Sequence, residues 1–90
     1  MQVAFSDSFK KAFAKRIKKS TEIEQGFWDK LEFFVRDPFH SQLKTHKLSG
    51  KLKDLWSFSV EYDLRVVFYF TKDKPKKAVF VDIGTHDEVY

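Results

Sequence analysis

Cysteine is absent from this sequence, and proline, glycine and long apolar runs are scarce. Without cysteine the chain has neither disulfides nor thiolate metal ligands, which suits a reducing compartment, so we expect a cytoplasmic location. No stretch reaches the roughly 18 apolar residues that a membrane span needs. The first residues lack the charged start and apolar run of a secretory signal, so we expect none.

The chain is short enough for a single hydrophobic core. Its 90 residues lie at the small end of domain sizes, so we expect one domain over residues 1–90. A chain of this size buries only about 60–65% of its unfolded surface, so its core must be dense in large side chains. The 11 Phe, 3 Tyr and 2 Trp supply that density.

Positive charge exceeds negative charge, and the lysines are clustered. Lysine and arginine outnumber aspartate and glutamate by 17 to 13, which gives a net charge of +4 and favours a polyanionic partner. One lysine cluster lies in the first helix pattern and the other in a later loop; they comprise Lys10, Lys11, Lys15, Lys18 and Lys19, and Lys44, Lys47, Lys51 and Lys53. Both clusters suit phosphate contacts, and the alternative is a solvated face.

The first half predicts a strand and two helices. Residues 1–5 indicate an edge strand, and Ser6 or Asp7 then caps a helix over residues 8–19, whose apolar side chains recur at intervals of three and four. Ser20-Thr21 with Glu24 forms a capping-box pattern for a second helix, which runs to about residue 36 and ends before Pro38. Its buried stripe is expected at Ile23, Phe27, Leu31, Phe34 and Val35.

The second half predicts strands. Residues 38–54 form a polar, lysine-rich loop, after which the apolar pattern has a period of two. Strands are predicted over residues 56–62, 64–70 and 78–83, with a turn at 72–77 and a tail over 84–90. The order is β-α-α-β-β-β, so the fold class is α+β: an N-terminal strand and a helix hairpin packed on an antiparallel sheet.

The polar residues of the second half suit phosphodiester cleavage without a metal. His40, His46 and His86 match no metal-ligand spacing, so no metal is expected. RNA supplies its own nucleophile, the 2′-hydroxyl, and cleavage then needs a proton acceptor, a proton donor for the leaving 5′-oxygen and a fixed cation. Histidine and arginine have the required chemistry.

Arg65 is the sharpest single signal for such a site. Its neighbours Leu64 and Val66 are apolar, so they are expected to face the helices while Arg65 projects from the other face of the sheet. A charge on a rigid strand suits preorganised stabilisation. The alternative is an exposed arginine paired with Glu61 or Asp82.

Three stretches of the second half follow recognisable motifs in a fixed order. The first stretch, HKLSG at 46–50, has a Leu-x-Gly ending. The second comprises LWSFSV at 55–60 and DLRVVF at 63–68, which has an Arg-hydrophobic-hydrophobic-aromatic pattern. The third, DIGTHDEVY at 82–90, contains Gly-Thr-His-x-x-x-aromatic. Together they resemble the RelE/ParE superfamily of type II toxins, most closely its YafQ-like and YoeB-like members. The resemblance implies the RelE-like toxin fold.

The resemblance also implies a function and a site. The function is that of a type II toxin: a ribosome-dependent, metal-independent endoribonuclease that cuts mRNA in the A site and is silenced by a cognate antitoxin. His46 takes the position of the loop acid/base and Arg65 that of the arginine on the scissile phosphate. His86 matches the C-terminal catalytic histidine, Tyr90 the aromatic that orients or stacks on the substrate, and Asp63 a site carboxylate. No cofactor is implied.

The remaining polar residues extend this site. Ser59 stands where YafQ-like members place a further histidine, and Leu64 stands where they have tryptophan. We expect Ser59 and the loop lysines 44, 47, 51 and 53 to contact substrate, and the lysines of the first helix to contact ribosomal RNA. Two alternatives remain: a ParE-like gyrase poison, which lacks the nuclease residues, and a decayed module that only binds RNA or an antitoxin.

Overall fold

Five strands of the computed structural model, which describes residues 1–90, form one sheet with the two long helices on a single face. The elements are β1 Gln2–Phe5, α1 Asp7–Arg16, α2 Thr21–Arg36, β2 His46–Lys47, β3 Trp56–Glu61, β4 Leu64–Phe70, β5 Lys77–Gly84 and α3 His86–Val89. The predicted α+β class is confirmed, and no helix is long and apolar enough to cross a membrane.

The strand order is β1-β5-β4-β3-β2, with β1 parallel to β5 and every other pair antiparallel. The predicted edge position of β1 is confirmed. The opposite edge is β2, which lies in the segment predicted to be a loop. His46 and Lys47 pair with Ser57 and Trp56, and two residues are too few to show a strand pattern in the sequence.

The caps of the long helices lie close to their predicted positions. Ser6 caps α1 by accepting the N–H of Phe9 at 3.1 Å. The cap of α2 is Ser20, whose hydroxyl accepts the N–H of Ile23, so the predicted pairing of Thr21 with Glu24 is wrong by one residue. The first helix ends at Arg16 rather than at 19, and the second ends at Arg36 as predicted.

The core between helices and sheet consists mainly of phenylalanine rings. Phe80 of β5 lies at its centre and is in ring contact with six others: Phe5, Phe9, Phe27, Phe34, Phe58 and Phe68. Val35 is 43% exposed on the outer side of α2, so its predicted burial is wrong. Phe34 fills the core at that turn of the helix.

Gly26 explains how the β3–β4 hairpin approaches α2. A Cβ at this buried helical position would collide with the carboxylate of Glu61 at the end of β3. Glycine weakens the interior of a helix by about 1 kcal/mol relative to alanine, and here its lack of a side chain lets Glu61 pack against the helix backbone.

Candidate active site

The register of the sheet places several polar side chains on the face opposite α1 and α2, called the site face below. Residues that pair across strands share a face, and neighbours along a strand alternate. Phe58 and Val66 belong to the core, so Ser57, Ser59 and Arg65 lie on the site face. Ser59 pairs directly with Arg65. The predicted orientation of Arg65 therefore agrees with the register.

Arg65 is at the centre of the site face and is half-buried. Its Nη2 lies 3.7 Å from Oδ1 of Asp63, so its carboxylate partner is Asp63 rather than Glu61 or Asp82. Its guanidinium carbon lies 5.6 Å from the centroid of the Tyr90 ring. The Nε atom is buried without a hydrogen-bond partner, so the side chain keeps an unused donor.

The C-terminal helix α3 brings His86 and Tyr90 to Arg65. The backbone N–H of His86 donates to Oδ2 of Asp63 at 3.4 Å. The His86 and Tyr90 rings meet edge to face, with centroids 4.6 Å apart. Asp63 thus contacts both the arginine and the start of α3, and four of the predicted site residues form one contiguous group.

Arg16 holds α3 in place, a role that the sequence did not suggest to us. Its Nη1 donates to Oδ1 of Asp82 at 3.1 Å and to the carbonyl of Ile83 at 3.0 Å, and its Nε lies 3.5 Å from Oε2 of Glu88. Glu88 also accepts the N–H of Thr85 at 2.7 Å. The hydrogen bond from this N–H, then that from the Thr85 side chain and after it the Arg16 charge, lowers the pKa of Glu88.

Two residues of the sequence, Arg16 itself and Gly84, carry the signal that could have revealed this role. Arg16 is the only arginine among the lysines of the first helix, and arginine can bond several acceptors at once where lysine acts as a point charge. A Cβ on Gly84 would lie 2.9 Å from Nη1 of Arg16 and 2.8 Å from Oε1 of Glu88. The glycine of the terminal motif therefore makes room for this ion pair.

His46 lies on the site face but does not contact the other site residues. It pairs with Ser57 on β3, and Ser57 pairs with Val67 on β4. Two strand spacings, about 9.5 Å, therefore separate its strand from that of Arg65. Its Nδ1 lies 3.0 Å from the carbonyl of Lys44. Since a carbonyl can only accept, Nδ1 donates, and Nε2 remains free to take a proton.

The residues predicted to contact substrate are spread over a wider area. Ser59 and Lys44 line one cleft of about 420 Å³ together with Lys30. Lys47 pairs with Trp56 and so points to the face opposite His46. Lys51 and Lys53 are exposed in the turn around Gly50–Leu52, and no hydrogen bond or ion pair ties them to Arg65 or His86.

The lysines predicted to contact ribosomal RNA are all exposed on α1 and the turn after it, on the other side of the sheet from Arg65. Two of them approach the site: Lys15 and Lys19 line a cleft of about 460 Å³ that also includes Asp63 and Thr85. No three histidine, aspartate or glutamate side chains converge as a metal site would require.

A family model described as the bacterial toxin of type II toxin-antitoxin systems, YafQ, matches residues 1–90 of this chain. Among curated proteins, none matches the sequence significantly.

Solved structures give the same fold. YafQ of Escherichia coli is 18% identical, with a TM-score of 0.79 over 99% of this chain and 97% of that one, and it has also been solved in complex with DinJ. A YoeB/ParE toxin of Agrobacterium tumefaciens is 16% identical, with a TM-score of 0.76 over 96% and 99%. A copper-bound mutant toxin of Helicobacter pylori is 22% identical, with a TM-score of 0.75 over 100% and 99%.

Proposed function

This chain belongs to the YafQ family of bacterial toxins from type II toxin-antitoxin systems, and we propose that it is a metal-independent endoribonuclease that cuts mRNA in the ribosomal A site. The observation that carries the proposal is the contiguous group of Asp63, Arg65, His86 and Tyr90 on the site face. It combines a fixed cation and an imidazole that can transfer a proton, two of the groups that RNA cleavage without a metal requires, and places an aromatic ring beside them.

Arg65 stabilises the phosphorane in this proposal. Its strand is held on both sides by β3 and β5, and Asp63 and Tyr90 orient its guanidinium. A cation that is fixed before the reaction stabilises developing negative charge without reorganisation. The guanidinium group is partly exposed, so its terminal N–H groups can donate to a phosphate oxygen.

The two histidines divide the proton transfers. His46 has its Nδ1 occupied by the Lys44 carbonyl, so in the neutral ring Nε2 accepts the proton of the 2′-hydroxyl. His86 Nδ1 lies 3.6 Å from Oδ1 of Asp87, an ion pair that exists only while the imidazole is protonated, and His86 then donates to the leaving 5′-oxygen. The substrate phosphate lies between β2 and α3, above Arg65.

The proposal includes partners and a location. A cognate antitoxin silences the toxin, and the complex of E. coli YafQ with DinJ is a precedent for such a pair. The lysines of α1 contact ribosomal RNA, while Lys44, Ser59 and, less directly, Lys47, Lys51 and Lys53 contact mRNA. These partners require a cytoplasmic location. The whole of residues 1–90 acts as one toxin domain.

Primer extension on a defined mRNA in a translating extract tests the proposal. The native chain should produce cuts at fixed positions within codons, and His86→Ala should abolish them at equal protein concentration and unchanged circular dichroism. Cleaved supercoiled DNA without cut mRNA would instead indicate a gyrase poison. Absence of both, with no growth arrest on induction, would indicate a module that only binds RNA or antitoxin.

A further inference from the structure

The tip of the β3–β4 hairpin exposes an aromatic ring beside the proposed active site. Tyr62 is 102% exposed and touches no other ring, and its φ of 43° is in the left-handed region. A bulky side chain there costs about 1–2 kcal/mol of backbone energy. Such strain is concentrated at functional sites in proteins, so Tyr62 is a candidate functional residue.

The residues on either side of Tyr62 are anchored. The carboxylate of Glu61 packs against the helix backbone at Gly26, and Asp63 contacts both Arg65 and the backbone of His86. These contacts tether the hairpin on both sides of Tyr62, whose ring is exposed to solvent. Stacking of a ligand on this ring therefore costs little conformational entropy in the hairpin backbone.

Tyr62 lies between the two clefts described above and lines both of them. The cleft on one side includes Asp63 and Thr85 with Lys15 and Lys19. The cleft on the other side includes Ser59 with Lys30 and Lys44. Cations thus flank the ring on both sides, and each cleft reaches a residue next to Arg65 or His86.

We propose that Tyr62 is a stacking platform for one nucleobase of the RNA that the site face binds, with the lysines of the two clefts contacting the phosphates on either side of that base. The inference rests on the proposed function, because it takes the RNA strand to pass Arg65. A positively charged path with an aromatic ring in it is the arrangement by which proteins hold single-stranded RNA.

The charge around Tyr62 favours RNA over a protein partner as its ligand. Four lysines and Arg16 line the two clefts, against the carboxylates of Glu61, Asp63 and Glu88. Asp63 is paired with Arg65, and Glu88 with Thr85 and Arg16, while Glu61 is turned toward the helix at Gly26. The lysine ammonium groups make no ion pair within the chain, so phosphates can approach them.

Equilibrium binding tests the inference with an RNA that cannot be cut. The probes are a fluorescein-labelled 12-nucleotide single strand whose riboses are all 2′-O-methylated, free and carried as mRNA on 70S ribosomes. Tyr62→Ala should weaken binding to at least one probe by about 5- to 100-fold, the usual effect of losing one stacked base. Tyr62→Phe should bind within about twofold of the native chain, since it keeps the ring.

Two further variants separate stacking from stability. Tyr62→Gly relieves the backbone at φ 43°, so it should melt no lower than the native chain and still bind RNA as weakly as Tyr62→Ala. Phe39→Ala removes another exposed ring, 55% exposed and outside both clefts, and should leave RNA binding unchanged.

Lys19→Ala and Lys44→Ala test the phosphate contacts. Each should reduce the dependence of the binding constant on salt concentration by about 0.7 in log–log slope.

The outcomes that overturn the inference differ from those that overturn the proposed function. If the native chain cuts mRNA while Tyr62→Ala binds and cuts as well as it does, the stacking site is refuted and the nuclease stands. If the native chain binds the probes through Tyr62 but cuts nothing, the nuclease proposal fails and the stacking site stands. Failure of the native chain to bind either probe, or a Tyr62→Ala defect confined to antitoxin binding, refutes the stacking site.

Discussion

The two faces of the sheet are built from alternate residues of the same strands and differ in almost every property. The helix side carries Phe58, Val66, Phe68 and Phe80, all fully buried in one cluster. The site face carries Ser57, Ser59 and Arg65 on those same strands, with α3 as its only helix. One sheet therefore supports an apolar core on one side and a cluster of polar side chains on the other.

The comparison shows that the face on which a strand residue lies predicts whether its side chain serves mainly folding or mainly function. A side chain on the helix side contributes mainly by leaving water, so its loss should weaken folding. The charged group around Arg65 on the site face is partly accessible and held by ion pairs, so loss of one of its side chains should weaken function more than folding. Substitutions of neighbouring residues, one from each face, test this division directly.

Phe80→Ala should have the largest effect on stability. Phe80 is fully buried and contacts six other phenylalanine rings, so the free energy of unfolding in urea should fall by about 3–5 kcal/mol. The neighbouring Val79→Ala, on the opposite face of β5, should cost about 1 kcal/mol. Similar losses for the two variants would contradict the difference between the faces.

Arg65→Ala should lower activity much more than stability. The rate of mRNA cleavage should fall by the equivalent of about 2–4 kcal/mol in barrier height, the effect of losing a preorganised charge. The unfolding free energy should change by no more than about 1 kcal/mol, because its ion pair is long, at 3.7 Å, and Asp63 is mostly exposed. The matched variant is Val66→Ala, which should lose about 1.5–3 kcal/mol of stability and retain its specific activity once folded. Full cleavage by Arg65→Ala would remove Arg65 from the site.

The fold could be predicted from the sequence because its main signals are periodic. Intervals of three and four placed both long helices, alternation placed β3, and a nearly continuous apolar run placed β4, each strand within a few residues. The failures were local. Strand β2 has only two residues, and the cap of α2 depends on which of two adjacent hydroxyls, Ser20 or Thr21, meets an N–H group.

The site was predictable only in part, because it depends on contacts between distant segments. The resemblance assigned Asp63, Arg65, His86 and Tyr90, but their mutual contacts arise from the seating of α3 against the hairpin. Arg16 was missed because its partners lie 66 residues and more along the chain, at Asp82 and Ile83. The separation of His46 from Arg65 follows from β2, which no sequence pattern indicated.

Ser57→Ala should raise the stability of the protein. The Ser57 hydroxyl is fully buried on the site face and has no hydrogen-bond partner, and burial of an unpartnered polar group is unfavourable. The variant should gain about 1 kcal/mol in the free energy of unfolding. Ser59 is half-buried and lies two residues further along β3 on the same face. The free energy of unfolding of Ser59→Ala should stay within about 0.5 kcal/mol of that of the native chain. A destabilised Ser57→Ala would mean that the hydroxyl has a partner, such as an ordered water.

Glu88→Gln should have the smallest effect, visible mainly in the pH dependence of stability. In the folded chain the Thr85 N–H, then the Thr85 side chain and after it Arg16, lower the pKa of Glu88 below its usual 4.5. The carboxylate therefore contributes stability that is present above the unfolded pKa and is lost as the pH falls through the folded one. The melting temperature of the native chain should then fall more steeply between about pH 6 and about pH 3 than that of Glu88→Gln.

A second carboxylate of α3 provides the control for this measurement. Asp87→Asn also removes one negative charge from the helix, but Asp87 contacts neither Thr85 nor Arg16, so this variant should keep most of the native pH dependence. Because Glu88 lies on the same helix as His86 and Tyr90, its loss should also lower cleavage, though by less than Arg65→Ala does. Parallel melting curves for the native chain and Glu88→Gln across this pH range would show that Arg16 holds α3 through Asp82 and Ile83 without help from Glu88.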